Sequence, residues 1–237
     1  MEVRLLYNFL LKNMETTHKK KAKPFEQWTR EEVETTFGIT RNDDLDLLQT
    51  WLATTFPIPQ EELAVMATLQ KGLRQDIDLY NEDELKFFFI SQVINAIHFK
   101  TPLYRAFTQR PMQFTTHTVD NQLITVNGIV ELMVATGRQT PKKPFFFLQE
   151  FKQSLKRNND PLGQLLIAML AAQVQNQDGK AIYGCYVLGE KWHFVTLFGK
   201  EYGASSGFDV TKPHEFEQMI RILKEQKRYI ETELGLL

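Results

Sequence analysis

The sequence predicts a layered α/β (mixed α+β) fold, in which a central mixed sheet is flanked by helices. Apolar residues recur at helical spacing in residues 82–98 and again in residues 213–234. Between these segments lie short runs rich in β-branched and aromatic residues, separated by turn-forming residues. The resulting order of helix, strands, helix, hairpin and helix predicts a sheet that helices cover.

The first 80 residues are predicted to be a helical region that packs on the main domain, which comprises residues 81–237. Residues 1–14 indicate an amphipathic helix, and residues 15–24 a polar, basic linker. Thr29 is a reasonable helix start and Gly38 a reasonable stop. Two further helices are expected before residue 80, on either side of the break at residues 57–59.

The main domain begins with a helix that Asn81 can cap, because Glu84 follows at the spacing of a capping box. A turn is expected at residues 120–122, and another turn or a bulge at residues 127–128. Asp160 and Pro161 form a typical helix start, and a hairpin is expected around Gly189. The predicted strands are 114–119, 123–126, 129–135, 145–152, 182–188 and 192–198.

Composition narrows the class of protein. The 28 basic and 29 acidic residues nearly balance, which argues against a protein that packages DNA independently of sequence. Cys185 is the only cysteine, so a disulfide within the chain is excluded, and a small buried hydrophobic role and a cytoplasmic setting fit it. No apolar run approaches the roughly 20 residues of a membrane helix, so no membrane association is expected.

Two predicted strands carry charged residues within apolar runs. Glu131 lies in the run IVELMVA, and Glu150 and Lys152 lie in FFFLQEFK. Carboxylates are costly to bury unless they are paired or bind metal. If the two strands pair, the carboxylates of Glu131 and Glu150 face each other and repel unless a cation separates them. Mg²⁺ or Mn²⁺, which prefer oxygen ligands, would suit such a site, and Lys152 could orient or deprotonate an attacking water.

Three consecutive features resemble the PD-(D/E)XK nuclease superfamily. They are an acid after a glycine in one strand, Glu-x-Lys in the next strand, and a glutamine in the helix that follows. The element order in residues 80–200 is also similar to that restriction-endonuclease-like core. The resemblance implies DNA as the partner, metal binding by Glu131 and Glu150, and catalysis by Lys152. It also implies a metal-binding glutamate on the first helix. This is Glu84 here, although Glu82 and Asp83 compete for the role and a helix cap is the simpler role of Glu84. Gln164 matches a glutamine found near the site in some branches.

Two departures from the family pattern keep other functions open. Glu131 stands where the family usually has Asp, and Ala168 stands where a tyrosine often follows the helix glutamine. One alternative is a catalytically inactive nuclease-fold module that binds nucleic acid or a protein partner. Another is a structural accessory subunit of a larger system. A homodimer is also left open.

Overall fold

The computed structural model describes residues 22–151 and 160–237, and these residues form a nine-stranded mixed sheet between two layers of helices. The strands are β1 Lys23–Pro24, β2 Thr40–Arg41, β3 Tyr104–His117, β4 Leu123–Thr136, β5 Pro144–Phe151, β6 Ile182–Leu188, β7 Lys191–Phe198, β8 Glu201–Ala204 and β9 Phe208–Asp209. They are ordered β1-β4-β5-β6-β7-β8-β2, with β3 along the other side of β4 and β9 beside β7. The predicted layered, mixed α/β architecture is confirmed.

Three helices begin where the sequence signals predicted, after Thr29, Asn81 and Asp160. Thr29 forms a capping box with Glu32, and the side chain of Asp160 accepts a hydrogen bond from the backbone of Gly163. A π-turn, Lys86–Ile90, joins two short helices into one continuous segment, and a 3-10 turn spans Phe25–Gln27. The helices are α1 Arg30–Phe37, α2 Asp46–Leu52, α3 Gln60–Asp76, α4 Glu82–Leu85, α5 Ser91–Ile97, α6 Pro161–Asn176 and α7 Pro213–Glu233.

Two hydrophobic clusters fill the space between the sheet and its helices. The first cluster unites one face of the sheet with α2, α3, α4, α5 and α7. The second unites the opposite face with the 3-10 turn, α1 and α6. Within the described ranges, none of these helices combines the length and apolar character needed to cross a bilayer.

Residues 23–80 contribute to both helix layers and to the sheet. β1 pairs in parallel with β4, and β2 pairs in parallel with β8. Trp51 of α2 is fully buried, and its indole N–H donates to the carbonyl oxygen of Ile222 in α7 at 2.9 Å. This region packs on the main domain, as expected. The helix predicted at residues 1–14 lies outside the described residues. Lys23, expected in a linker, lies instead in β1. The division of the chain at residue 80 stays a prediction.

The first two long strands differ from their predicted bounds. β3 and β4 each have 14 residues and pair along their whole length. The turn or bulge expected at Gly128 is therefore wrong, because this residue lies within β4. A Cβ atom at Gly128 would lie 2.2 Å from the ring of Phe25, so the glycine provides room for the 3-10 turn that crosses the strand. The hairpin around Gly189 is confirmed.

The side chains of β4 do not alternate regularly between the two faces of the sheet along the whole strand. Val130 and Met133 lie in the same hydrophobic cluster, although residues three apart in a regular strand face opposite sides. The paired positions Thr108–Leu132 and Arg110–Val130 place Gln109 of β3 across from Glu131. Gln109 has a φ of 51°, in the left-handed region. This local distortion sits beside the acid that the sequence singled out.

Candidate functional site

Glu131 lies on the sheet face that helices α4 and α5 cover. Its carboxylate is 3.4 Å from the ammonium nitrogen of Lys86, and the same nitrogen is 2.9 Å from the carboxylate of Glu82. The three side chains keep only 25%, 30% and 22% of their surface exposed, in the order Glu131, Lys86, Glu82. We call these three residues the acid–lysine group. It joins the centre of β4 to the first turn of the covering helix.

The backbone around Lys86 explains how the lysine reaches both acids. Glu82 precedes Lys86 by four residues, so the two side chains lie on one helix face. Lys86 begins the π-turn, which shifts the residues that follow relative to a regular α-helix. Such single π-turns occur frequently at functional sites. The neighbouring Leu85, Phe89 and Ile90 are buried, which anchors the turn against the sheet.

Glu84, the acid predicted to bind metal on this helix, completes a capping box. The backbone N–H of Asn81 donates to its carboxylate at 2.8 Å, and its own N–H donates to the Asn81 side chain at 3.0 Å. The simpler role that the sequence indicated is therefore confirmed. Its metal role stays a prediction, but Glu82 is the acid of α4 that shares a lysine with Glu131.

Glu150 lies near the end of β5, and its backbone pairs with Val187 of β6. On the other side β5 runs antiparallel to β4, with Leu148 opposite Leu132. The strand that carries Glu150 is thus the immediate neighbour of the strand that carries Glu131, as predicted. The side chain of Glu150 and all of Lys152 lie outside the described residues, so the convergence of the three predicted side chains stays a prediction.

Gln164 lies in the first turn of α6 and is 8% exposed. Its side-chain amide donates to the backbone carbonyl of Glu26 at 3.5 Å, a long contact. Helix α6 covers the sheet face opposite to the one that carries Lys86. The structure therefore connects Gln164 to the 3-10 turn, and its place in the catalytic site stays a prediction.

The acid–lysine group has the donor chemistry of a hard-cation site. Mg²⁺ typically keeps several waters and takes one or two carboxylates from the protein, together with substrate phosphate oxygens. Glu131 and Glu82 supply two such carboxylates, and Lys86 already holds positive charge between them. Among the described residues, no three His, Cys, Asp or Glu side chains cluster into a potential metal site.

The loop between β4 and β5 carries two lysines, Lys142 and Lys143, near the strand of Glu150. The ammonium group of Lys143 is held by Asp178 at 2.7 Å and by Glu233 at 2.5 Å. Burial acts to lower the pKa of Lys143, but these hydrogen bonds outweigh it and raise the pKa. Lys142 is exposed.

Cys185, the only cysteine of the chain, is fully buried, as expected. Burial raises the pKa of its thiol well above the usual value. The thiol is therefore protonated and unreactive near neutral pH.

Lys86 is the residue that sequence reasoning missed. Its signal was present, because Glu82 and Lys86 have the spacing of a helical ion pair. Such pairs are common on exposed helix faces, so the spacing alone did not connect them with Glu131, 45 residues away.

Comparison with known proteins gives no family for this chain. No protein-family model matches it, and no curated protein shows significant sequence similarity to it.

Proposed function

We propose that the protein is a divalent-metal-dependent nuclease that hydrolyses phosphodiester bonds of DNA. The observation that carries the proposal is the half-buried acid–lysine group, next to the strand that carries Glu150. Partly buried carboxylates on the inner surface of a sheet are costly unless a function or a cation keeps them. The ammonium group of Lys86 meets that requirement in the absence of metal.

The order of elements supports the likeness to a restriction-endonuclease-like fold. Helices α4 and α5 lead into an antiparallel meander of β3, β4 and β5, and α6 then returns the chain to β6, which runs parallel to β5. This is the series of helix, three strands, helix and strand on which the resemblance rests. Glu131 lies on the second of those strands and Glu150 on the third.

Each residue then has a chemical role. Glu131 and Glu82 would hold Mg²⁺ or Mn²⁺ together with Glu150, whose strand is adjacent. The bound cation supplies positive charge that polarises a phosphoryl oxygen. Lys152 would orient or deprotonate the attacking water, as the Glu-x-Lys motif implies. Lys86 keeps the two carboxylates together and adds positive charge where the phosphate arrives.

Cleavage of plasmid and oligonucleotide DNA with Mg²⁺ or Mn²⁺ tests the proposal. The variants are Glu131→Gln, Glu150→Gln and Lys152→Ala, and the matched control is Asp78→Asn, an exposed acid beyond the end of α3. We expect each site variant to lower the cleavage rate by about 100-fold or more, while the control keeps the rate of the original protein.

The outcomes separate the alternatives. Cleavage at an unchanged rate in all three site variants would reject this site. Binding of Mn²⁺ without cleavage, lost in Glu131→Gln, would favour a catalytically inactive module of the same fold. Neither metal binding nor DNA binding at low salt would favour an accessory subunit.

A further inference from the structure

A second group of charged residues surrounds a pocket at the far end of β4. The pocket has a volume of about 510 Å³ and is lined by the four cationic or titratable side chains of His98, Lys100, Arg105 and Arg138, together with Thr101, Pro102 and Gly137. Its lining contains no carboxylate. This local excess of positive charge contrasts with the near-neutral balance of the whole chain.

The backbone holds these side chains on one rim. His98 ends α5 in a left-handed conformation with a φ of 60°, which turns the chain back toward the sheet. An isolated antiparallel bridge then pairs Lys100 with Arg105. The backbone N–H of Thr101 donates to the carbonyl oxygen of Tyr104 at 2.8 Å, and this closes the turn between them.

The opposite rim is a preformed loop. Gly137 has a φ of 112°, and a Cβ atom there would lie 2.2 Å from the carbonyl oxygen of Thr140. Only glycine therefore fits this position without rearrangement. The backbone N–H of Thr136 donates to the carbonyl oxygen of Lys143, and the backbone N–H of Lys142 donates to the carbonyl oxygen of Thr136. These two hydrogen bonds close the loop. Arg138 follows the glycine and is exposed.

The cations of the pocket are available for a ligand. Arg105 donates to the carbonyl oxygens of Ala106 and Arg138 at 3.3 and 3.5 Å, and its guanidinium lies 5.4 Å from the ring centre of Phe107. These contacts orient the side chain without neutralising it. Within residues 22–151 and 160–237, none of the pocket's cations is paired with a carboxylate.

We propose that this pocket binds a backbone phosphate of the nucleic acid that the enzyme cleaves, an inference that rests on the proposed function. Arginine guanidinium groups match phosphate oxygens in geometry and charge. Glu131 and Gly137 are six positions apart along the chain, which corresponds to roughly 20 Å for extended backbone. At about 3.4 Å per base pair, the pocket would hold a phosphate about six base pairs from the cleaved bond.

Arg110 adds a second exposed arginine to the edge strand. It lies on the exposed edge strand β3 opposite Val130, and its guanidinium lies 5.8 Å from the centre of the same Phe107 ring that Arg105 contacts. The edge strand thus presents two arginines that contact one ring of the second cluster, Arg105 at the pocket and Arg110 further along β3. A nucleic acid that follows this edge of the sheet would meet both positive charges.

Binding without cleavage tests the pocket directly. The fluorescence anisotropy of a labelled DNA duplex is measured in EDTA at several salt concentrations, for the original protein and for the double variant Arg105→Gln, Arg138→Gln. His98 and Lys100 are left unchanged, because cations near the C-terminal end of α5 also stabilise the helix dipole. We expect weaker binding to every duplex sequence, and a plot of log affinity against log salt that is shallower by up to about two.

The matched control removes the same charge elsewhere. Lys71→Gln, Arg74→Gln changes two exposed cations of α3, and it should keep the salt dependence of the original protein. Equal effects of the two double variants would overturn the pocket proposal, as would binding to vesicles of anionic lipid but not to DNA. If the arginine double variant has the shallower salt dependence but the original protein cleaves no DNA, the pocket proposal is supported and the nuclease proposal is rejected. If the original protein cleaves DNA but the arginine double variant keeps its salt dependence, the nuclease proposal is supported and the pocket proposal is rejected.

Discussion

The carboxylate of Asp160 accepts a hydrogen bond from the backbone N–H of Arg30 at 2.6 Å, across 130 residues of sequence. Its other oxygen accepts from the backbone N–H of Gly163 at 2.9 Å. Arg30 is the first residue of α1, and Gly163 lies in the first turn of α6. One carboxylate therefore satisfies free N–H groups at two helix N-termini, where negative charge also complements both helix dipoles.

Asp160→Ala should lower the free energy of unfolding by about 2 kcal/mol or more, because it leaves both N–H groups without their acceptor. Asp160→Asn keeps one carbonyl oxygen and should lose about half as much. Urea unfolding followed by circular dichroism measures both. Asp78→Ala, at an exposed position, is the control and should change stability by less than about 0.5 kcal/mol. An alanine variant as stable as this control would contradict the shared role of Asp160.

Two helical glycines should respond to alanine in opposite ways. A Cβ atom at Gly163 would lie 2.5 Å from the backbone nitrogen of Arg30, so Gly163→Ala forces α1 and α6 apart and should cost about 1–3 kcal/mol. Gly72 in α3 has no heavy atom within 4 Å of that position, so Gly72→Ala should stabilise by roughly 0.5–1 kcal/mol. Thermal unfolding of the two variants decides. Effects of the same sign would show that the close crossing of α1 and α6 is not what selects glycine.

His193 should make stability depend on pH. Its ring stacks on Tyr186 with centroids 4.6 Å apart, and burial lowers its pKa below 6.5 despite the carbonyl oxygen of Ser205. The unfolded chain therefore binds a proton at a higher pH than the folded protein does. The free energy of unfolding should thus fall as the pH drops below about 6.5.

His193→Phe keeps the stacked ring but cannot bind a proton, so it isolates this contribution. The free energy of unfolding of the original protein minus that of the variant should decrease as the pH falls from about 8 to about 5.5. His117→Gln, at an exposed position of β3, is the matched control. A difference that stays constant with pH would contradict the assignment.

The two acids of α4 should have different effects on cleavage. Glu82→Gln removes a charged oxygen donor from the acid–lysine group and should lower the cleavage rate by about tenfold or more. Glu84→Gln keeps a residue that completes a capping box, so both stability and cleavage should change little. The comparison uses the metal dependence of cleavage for each variant. Greater loss in Glu84→Gln would instead support the original prediction from the sequence.

Local signals predicted most of the elements. The caps at Thr29 and Asp160 and the hairpin at Gly189 depend on neighbouring residues, so the sequence contains all the information they need. Gly128 misled because its role is to make room for Phe25, a contact that spans about 100 residues. The two-residue strands β1 and β2 were not predicted for the same reason, because their partner strands lie far along the chain.

The candidate site was predictable only in part. An acid inside an apolar strand is conspicuous, so Glu131 could be identified without a structure. Lys86 could not, because an ion pair at helical spacing indicates nothing about what else the lysine contacts. The contact of Lys86, the first residue of the π-turn, with Glu131 of β4 is visible only in the folded structure.

The pairing of β2 with β8 has a consequence for how the chain acquires its structure. Thr40 and its partner Glu201 are separated by about 160 residues, which a ribosome adds in roughly 10–30 s. Until then β2 has no neighbouring strand to pair with. Completion of the sheet must await the late strands, and such distant pairings are typical of slowly folding proteins. A chaperone that shields the early apolar segments during synthesis would therefore raise the yield of folded protein.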